Sequence, residues 1–360
     1  MTKPTDKITR WIRPEIRALS AYHVPDPGDC IKLDAMENPY TWPEEMVEAW
    51  LETLRAVSLN RYPDPGARVL KERLRDCMGV PADQEILLGN GSDELIQMIA
   101  LAVARPGRVV LAPEPSFVMY RLIATLAGME YAGVPLDADF QLDMAAMRAA
   151  IETRQPAVIF LAYPNNPTGN LFQAGDVETI LEAAPGLVVV DEAYAPFTDS
   201  SFLDRLGRHD NLLVLRTVSK MGLAGLRLGL LIGGADWLGE IDKTRLPYNI
   251  NVLTQASGEF ALRHVEVLEE QARRIRADRT ALLTALAELP GLEVFPSDAN
   301  FILFRVPAGR GQELFDAIRQ QGVLIKNLSG AGGVLADCLR VTVGKPEENE
   351  AFLRALRAAL

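Results

Sequence analysis

Six short, almost unbroken apolar runs constrain this chain more than any other feature: residues 86–89 (ILLG), 109–112 (VVLA), 158–163 (VIFLAY), 187–192 (LVVVDE), 212–217 (LLVLRT) and 228–233 (LGLLIG). Side chains of a strand alternate between its two faces, so a strand apolar at successive positions is buried on both. Amphipathic helical patterns at 44–57, 67–78, 93–104, 116–127 and 143–153 precede or separate these runs. Strands alternating with helices predict an α/β fold, with a mainly parallel central sheet covered by helices on both faces. In such sheets ligands gather outside the carboxyl ends of the strands. The residues that close the apolar runs are therefore the first place to look for chemistry.

After Pro247 the texture changes. An Arg- and Glu-rich helical pattern over 253–289 leads into LEVF, NFILFRV, GVLIKN and LRVTVG, which alternate with helical GQELFDAIRQQ and the terminal EENEAFLRALRAAL. This predicts a smaller α+β domain that takes in part of the N-terminal segment. The expected division is residues 1–40 as an N-terminal arm and part of the small domain, 41–248 as a large cofactor-binding domain and 249–360 as a small C-terminal domain. A chain of 360 residues exceeds the size at which single cores stop growing, in keeping with two lobes.

Three of the strand ends carry reactive groups. The run at 212–217 delivers Ser219 and Lys220, and a Gly-rich turn then brings Arg227 round. A lysine buried beside another cation loses its proton near neutrality, which lets its amine attack a carbonyl and hold an aldehyde cofactor. The run at 187–192 ends in Asp191, with Tyr194 just beyond, and the run at 158–163 ends in a Pro/Asn/Gly turn containing Asn166. A buried carboxylate such as Asp191 keeps a pyridine nitrogen protonated, and Asn166 and Tyr194 can hold a phenolic oxygen as its anion. Taken singly, NNPTG is a turn, DEAY an acidic strand end and SK a surface pair. Occurring together in this order, they meet the requirements of a pyridoxal phosphate site.

These motifs resemble the class I/II aminotransferases of pyridoxal-phosphate fold type I, and within them the histidinol-phosphate aminotransferase family. The resemblance covers nearly the whole chain, through SAYHVPDPGDCIKLDAMENPY, NRYPDPGARVLKERL, ILLGNGSDELIQMI, APEPSFVMY, YPNNPTGN, VVVDEAY, TVSKMGLAGLRLG, DANFILFR and LRVTVG. It implies that Lys220 carries the cofactor covalently and moves the proton, that Asp191 partners the pyridine nitrogen, and that Asn166 and Tyr194 donate to the ring oxygen. Ser219 and Arg227 match phosphate ligands. Gly91, Ser92 and Asp93, at the start of a helix, match a phosphate cup. Free N–H groups at a helix N-terminus also attract an anion on physical grounds, although Ser92 equally suits a helix cap. The side chains of Asp93 and Glu94 should point away from a phosphate.

Phe117 matches an aromatic that covers one face of the cofactor ring, where the family often has tyrosine. The interval from Lys220 to Arg227 is seven positions (227 minus 220), where the wider superfamily commonly has eight, so a tighter turn is expected. Arg340 matches a carboxylate- or phosphate-binding arginine, whose planar fork suits bidentate pairing. Lys326 falls where a second arginine is frequent. Tyr22 and Asn38 resemble N-terminal substrate-side residues, and Tyr62 matches a tyrosine that reaches the cofactor phosphate of a neighbouring subunit.

The activity implied is transfer of the amino group of L-histidinol phosphate to 2-oxoglutarate, giving imidazole acetol phosphate and L-glutamate, by a cytoplasmic homodimer in histidine biosynthesis. An aromatic-amino-acid aminotransferase would share the site. So would a pyridoxal-phosphate decarboxylase of a phosphorylated amino acid such as threonine phosphate. A cofactor-sensing regulator would need a DNA-binding module for which this length leaves no room.

Composition narrows the field further. A net charge of −11 argues against general binding to nucleic acid or anionic membranes, so an anionic substrate needs a local cationic pocket, here Arg227, Lys326 and Arg340. Cys30, Cys77 and Cys338 are odd in number and lack metal-ligand spacing, as expected of free thiols in a reducing compartment. His23, His209 and His264 form no cluster, so no metal site is expected. No secretory signal, membrane-length apolar run, GxSxG, Walker loop or dinucleotide-binding glycine motif is present.

Overall fold

The protein is represented by a computed structural model that describes residues 4–21 and 24–360. Among the described residues the strands are β1 (Ile31–Lys32), β2 (Glu85–Asn90), β3 (Val109–Glu114), β4 (Glu130–Pro135), β5 (Val158–Ala162), β6 (Leu187–Asp191), β7 (Leu212–Thr217), β8 (Leu228–Gly233), β9 (Glu293–Val294), β10 (Phe301–Arg305), β11 (Val323–Leu324), β12 (Lys326–Asn327) and β13 (Cys338–Thr342). Seven of them form one sheet in the order β2-β8-β7-β6-β5-β3-β4. Only β8 runs antiparallel to its neighbours, and every other pairing is parallel. The expected α/β fold with a mostly parallel, two-faced sheet is the fold observed.

Alternation along the strands splits the core into two layers. Ile159, Leu161, Val188, Val190 and Val214 pack in one cluster, while Val158, Phe160, Leu187, Val189 and Leu213 pack in the other. All ten are at most 1% exposed, which is why the sequence reads as apolar at every position rather than at every second one. All six apolar runs are strands of this sheet. The edge strand β4 was not expected. Its EYAGVP sequence is mostly half-buried or exposed, so it lacks the apolar run that marks a central strand.

A second sheet, β12-β13-β10-β9, is antiparallel and shares a core with the helices Val265–Ala287, Gly311–Gln320 and Pro346–Ala359. The N-terminal segment joins it. β1 pairs in parallel with β11, and the Thr342 amide then donates to Leu33 O at 2.8 Å. That anchoring sets Asp34 to Asn38 down between the two sheets.

The helical pattern over 253–289 is two helices, Val252–Arg263 and Val265–Ala287, broken at His264 (φ −114°, ψ 36°). The first packs on Glu44–Arg55 and Arg68–Met78, the second on the small-sheet core, so the chain must change direction between them. No glycine or proline marks the break, and periodicity alone could not reveal it. The pattern over 116–127 is likewise shorter, with the helix starting only at Met119 and Ser116 donating instead to Asn165 Oδ1 at 3.0 Å. Among the described residues no helix is long and apolar enough to cross a membrane, and no group of side chains could hold a metal ion. All three cysteines are free thiols.

Candidate active site

The carboxyl ends of β2, β5, β6 and β7 lie along one edge of the large sheet, and β8, being reversed, starts at that same edge. They open on a cavity of about 380 Å³. Asp191, the last residue of β6, sits in register with Ala162 of β5 and Leu215 of β7, so the ladder fixes its depth. Its Oδ2 accepts from the Tyr120 hydroxyl at 2.7 Å and its Oδ1 from the Ala193 amide at 3.1 Å. Burial raises its pKa to about 6, against the lowering effect of these two donors.

Lys220 enters the same cavity from the end of β7. The Val218 amide donates to Leu228 O at 3.1 Å, closing the β7–β8 connection, and the seven-position interval is taken up by two short helical turns, Ser219–Leu223 and Ala224–Leu226. Left-handed backbone at Gly222 (φ 113°) and Arg227 (φ 49°) reverses the chain. The Lys220 amine lies 3.4 Å from Ala35 O and 5.8 Å from the Tyr194 ring centre. Its pKa is lowered to about 8, chiefly by burial, then by Arg340. Arg227, the cation that the sequence pointed to, has a smaller effect. The strand end is tightened by Thr217, whose Oγ1 lies 2.9 Å from Ser219 Oγ and 3.1 Å from the Ser219 amide.

At the other end of the cavity the helix Ser92–Val103 begins with Gly91 as its N-cap, without any side-chain cap. Ser92 therefore does not cap this helix, and its first-turn amides keep their capacity to bind an anion. Glu94 turns away, accepting from the Asn90 amide at 2.7 Å and Asn249 Nδ2 at 2.9 Å. Asp93 does not turn away as expected. It lines the cavity with its Oδ2 3.5 Å from Arg227 Nη2, and burial raises its pKa while Arg227 opposes the rise. Gly91 has φ +79°, and a Cβ there would stand 2.6 Å from Arg227 Nη2. The missing side chain is what lets Arg227 close over the helix start.

Asn166 and Tyr194 meet at the cavity wall, the Asn166 amide donating to Tyr194 Oη at 3.0 Å. Arg340 of β13 donates from Nη1 to Asn166 Oδ1 at 2.5 Å. Phe117 lines the cavity and meets Tyr120 edge-on. Lys220, Asp191, Tyr194, Asn166, Ser92, Asp93, Phe117, Ser219 and Arg227 thus share one cavity, with Gly91 and Arg340 against it.

Three other residues singled out in the sequence lie outside the cavity lining. Asn38 does not line the cavity, because its Nδ2 donates to Gln271 Oε1 at 2.9 Å and Met221 O at 3.4 Å, which anchors the N-terminal segment. Glu37, its neighbour, lines the cavity instead. Lys326 stands beside Arg340 on the adjacent strand, in register, but half-buried and outside the cavity lining. Tyr62 is 80% exposed and stacks on Tyr248 at 4.4 Å, outside the cavity lining. Tyr22 lies outside the described residues. Sequence reading also passed over Tyr120 and Thr217, whose only signals were a tyrosine in an apolar helix and a threonine closing a strand.

A mainly parallel sheet with one reversed strand, and a buried lysine at its carboxyl edge, define a fold-type I architecture. The model of the aminotransferase class I and II family matches residues 28–356. The chain is 62% identical over 358 residues to histidinol-phosphate aminotransferase 2 of Nitrosococcus oceani, covering 99% of each chain. It is 54% identical over 360 residues to histidinol-phosphate aminotransferase 1 of Ralstonia nicotianae, covering 99% of this chain and 96% of that one. The crystal structure of histidinol-phosphate aminotransferase from Sinorhizobium meliloti in complex with pyridoxal-5'-phosphate shares the fold, with a TM-score of 0.84 over 97% of both chains at 24% identity. The chain belongs to the class I and II aminotransferases and, among them, to the histidinol-phosphate aminotransferase family.

Proposed function

We propose that this protein is a pyridoxal-phosphate-dependent enzyme, active as a cytoplasmic homodimer, that transfers the amino group of L-histidinol phosphate to 2-oxoglutarate in histidine biosynthesis. The observation that carries the proposal is one cavity holding a buried amine with a pKa of about 8, a buried carboxylate, a paired amide and phenol, and an uncapped helix start beside an arginine. For the substrate, the support is the name carried by relatives with half or more of their residues in common.

The residues present fit this cofactor. The absence of a Cβ at Gly91 lets the Arg227 guanidinium sit against the helix start, and the uncapped amides there suit a phosphate with Ser92, Ser219 and Arg227 around it. When bound, pyridoxal phosphate supplies an aldehyde for the amino group and an electron-withdrawing ring. In this reading Asp191 holds a proton on the ring nitrogen, Asn166 and Tyr194 donate to the ring oxygen, and Phe117 covers a ring face. The Lys220 amine, neutral over a useful fraction of molecules near neutrality, binds the aldehyde and then serves as general base and acid. Arg340 fixes the anionic end of the substrate, with Lys326 as a second, less directional charge and Tyr22 and Asn38 on the substrate side. Tyr62 completes the phosphate cup of the partner. The units proposed to build this site are an N-terminal arm with part of the small domain at 1–40, a large cofactor-binding domain at 41–248 and a small C-terminal domain at 249–360.

Stopped-flow mixing of cofactor-loaded protein with L-histidinol phosphate, L-phenylalanine or O-phospho-L-threonine tests the reading by the change in cofactor absorbance. Rapid conversion with histidinol phosphate alone is expected. Conversion only with phenylalanine, or carbon dioxide release from phosphothreonine without an oxo acid, overturns the substrate, and a protein that takes up no cofactor overturns the whole.

A further inference from the structure

Tyr120 is completely buried, yet it carries a hydroxyl into the core. Such a group needs a partner, and it has one in Asp191, whose Oδ2 is 2.7 Å away. The ring is held on both sides. It stacks on Phe160 at 4.8 Å with 9° between planes, and Phe117 meets it edge-on at 5.6 Å and 87°. Phe160 belongs to β5, in register with Val189 of β6, so the sheet that sets the depth of Asp191 also sets the platform under Tyr120.

We infer that Tyr120 is a positioning residue that keeps Asp191 ionised and correctly turned toward the cofactor while bracing Phe117, so that one buried side chain sets both an edge and a face of the ring site. The inference rests on the proposed reading of the cavity as a pyridoxal phosphate site.

The direction of the hydrogen bond is fixed. Burial and the neighbouring Asp191 charge push the Tyr120 hydroxyl well above its ordinary pKa, so it stays protonated and donates. Asp191 depends on that donation because its other surroundings oppose its charge. Burial is the largest influence, and Asp93 and Glu192 add repulsion. Among the described residues, the Tyr120 hydroxyl and the Ala193 amide are the groups that hydrogen-bond to the carboxylate and favour its charge. Tyr194, whose own pKa Asp191 helps to raise, faces the same carboxylate from the chain beyond β6. With the hydroxyl removed, a proton shared between Asp191 and a ring nitrogen moves toward the carboxyl, and the ring withdraws electrons less well.

Tyr120→Phe keeps the ring and its stacking and removes only the donor. In the cofactor-free protein, a carboxyl-carbon NMR titration should show the Asp191 midpoint rising above its wild-type value. In protein loaded with pyridoxal phosphate labelled with nitrogen-15 in the ring, the nitrogen signal should move toward that of the unprotonated ring. Loss of a hydrogen bond to a charged group should lower kcat by about 10- to 100-fold, with KM changed far less. Tyr120→3-fluorotyrosine, a stronger donor of nearly the same shape, should move both signals the opposite way, and it decides the matter if Tyr120→Phe does not fold. A Tyr120→Phe protein with an unmoved Asp191 midpoint overturns the inference even if activity falls, since that would be loss of packing alone. Should the wild type bind no pyridoxal phosphate, the proposed function fails, whereas the cofactor-free titration still decides whether Tyr120 controls Asp191.

Discussion

Arg340 reaches from β13 of the small sheet to Asn166 at the carboxyl edge of the large one, placing Nη1 2.5 Å from Asn166 Oδ1. Its Nη2 donates to Asp34 O at 3.1 Å, and its guanidinium lies 5.0 Å over the Phe301 ring. One buried arginine therefore joins the large sheet, the small sheet and the N-terminal segment at the cavity wall. Accepting from Arg340 through Oδ1 also orients the Asn166 amide, so that its Nδ2 is the atom turned to Tyr194 Oη. After burial, Arg340 is the strongest influence holding the Lys220 pKa down.

Arg340→Ala should separate capture of substrate from retention of cofactor. Charge-assisted hydrogen bonds of this kind contribute about 1.5–3 kcal/mol, so kcat/KM should fall by about 10- to 100-fold while the cofactor stays covalently bound. The Lys220 pKa should rise toward the ordinary lysine value, because the cation opposing its protonation is gone. Steady-state kinetics with both amino donors checks the first expectation, and an NMR titration of the Lys220 amine in cofactor-free protein checks the second. Unchanged kcat/KM for both donors would remove Arg340 from the site.

Lys220→Ala should abolish turnover and leave the fold intact. General acid–base action alone is typically worth 10²–10⁴-fold, and loss of the covalent anchor adds to that. A purified variant keeping even a tenth of normal activity refutes the covalent role.

The depressed pKa of Lys220 also makes a statement about stability. Below about pH 8 the amine is charged in both folded and unfolded chains, and the folded one bears the cost of burying it. Between about 8 and the ordinary value of 10.5 the unfolded chain binds the extra proton, so stability rises with pH, and above that range the cost is gone. Lys220→Met removes the cost outright. In cofactor-free protein it should be more stable than wild type near neutrality, by at most about 3 kcal/mol, with the gap narrowing toward about pH 10. Urea unfolding at the two pH values decides it, and a gap of constant size counts against the idea.

Much of this could be read in the sequence because parallel strands buried on both faces leave an unmistakable pattern. Asp191, Asn166, Ser219 and Lys220 follow the ends of such strands, and ladder register brings those ends together whatever the loops do. Elements without that pattern stayed hidden. The edge strand β4 has no apolar run, and the break at His264 has no glycine or proline to announce it. Tyr120 looked like one more core aromatic, since nothing local signals that its hydroxyl meets a residue 71 positions away. Asn38 looked like a substrate contact, but polar groups that anchor a segment and polar groups that face a ligand are the same residue types.

Gly91→Ala should uncouple the helix start from Arg227. The backbone at Gly91, with φ 79° and ψ 170°, lies in a region essentially restricted to glycine, where another residue costs about 1–3 kcal/mol. The added Cβ would also meet Arg227 Nη2 at 2.6 Å, and the arginine, being the flexible end, would be the group to move. Affinity for pyridoxal phosphate should fall by at least about 10-fold, the equivalent of one lost charge-assisted contact. Titration of the cofactor-free variant followed by absorbance measures this, and an affinity equal to wild type would take the helix start out of the cofactor site.

Tyr62 is 80% exposed and contacts Tyr248 through a stacked pair, so the fold of its own chain draws little from it. Tyr62→Ala should change protomer stability by no more than about 1 kcal/mol, the typical value of an aromatic pair. If Tyr62 instead serves the cofactor site of the partner in the proposed homodimer, the variant should release cofactor readily and lose activity. The decisive measurement mixes it with Lys220→Ala. Neither variant alone forms a complete site, but a hybrid dimer has one site that combines the Lys220 of one subunit with the Tyr62 of the other. Activity should therefore reappear once the two proteins have been dissociated and reassembled together. A mixture no more active than its separate components would mean that Tyr62 does not act across a subunit boundary.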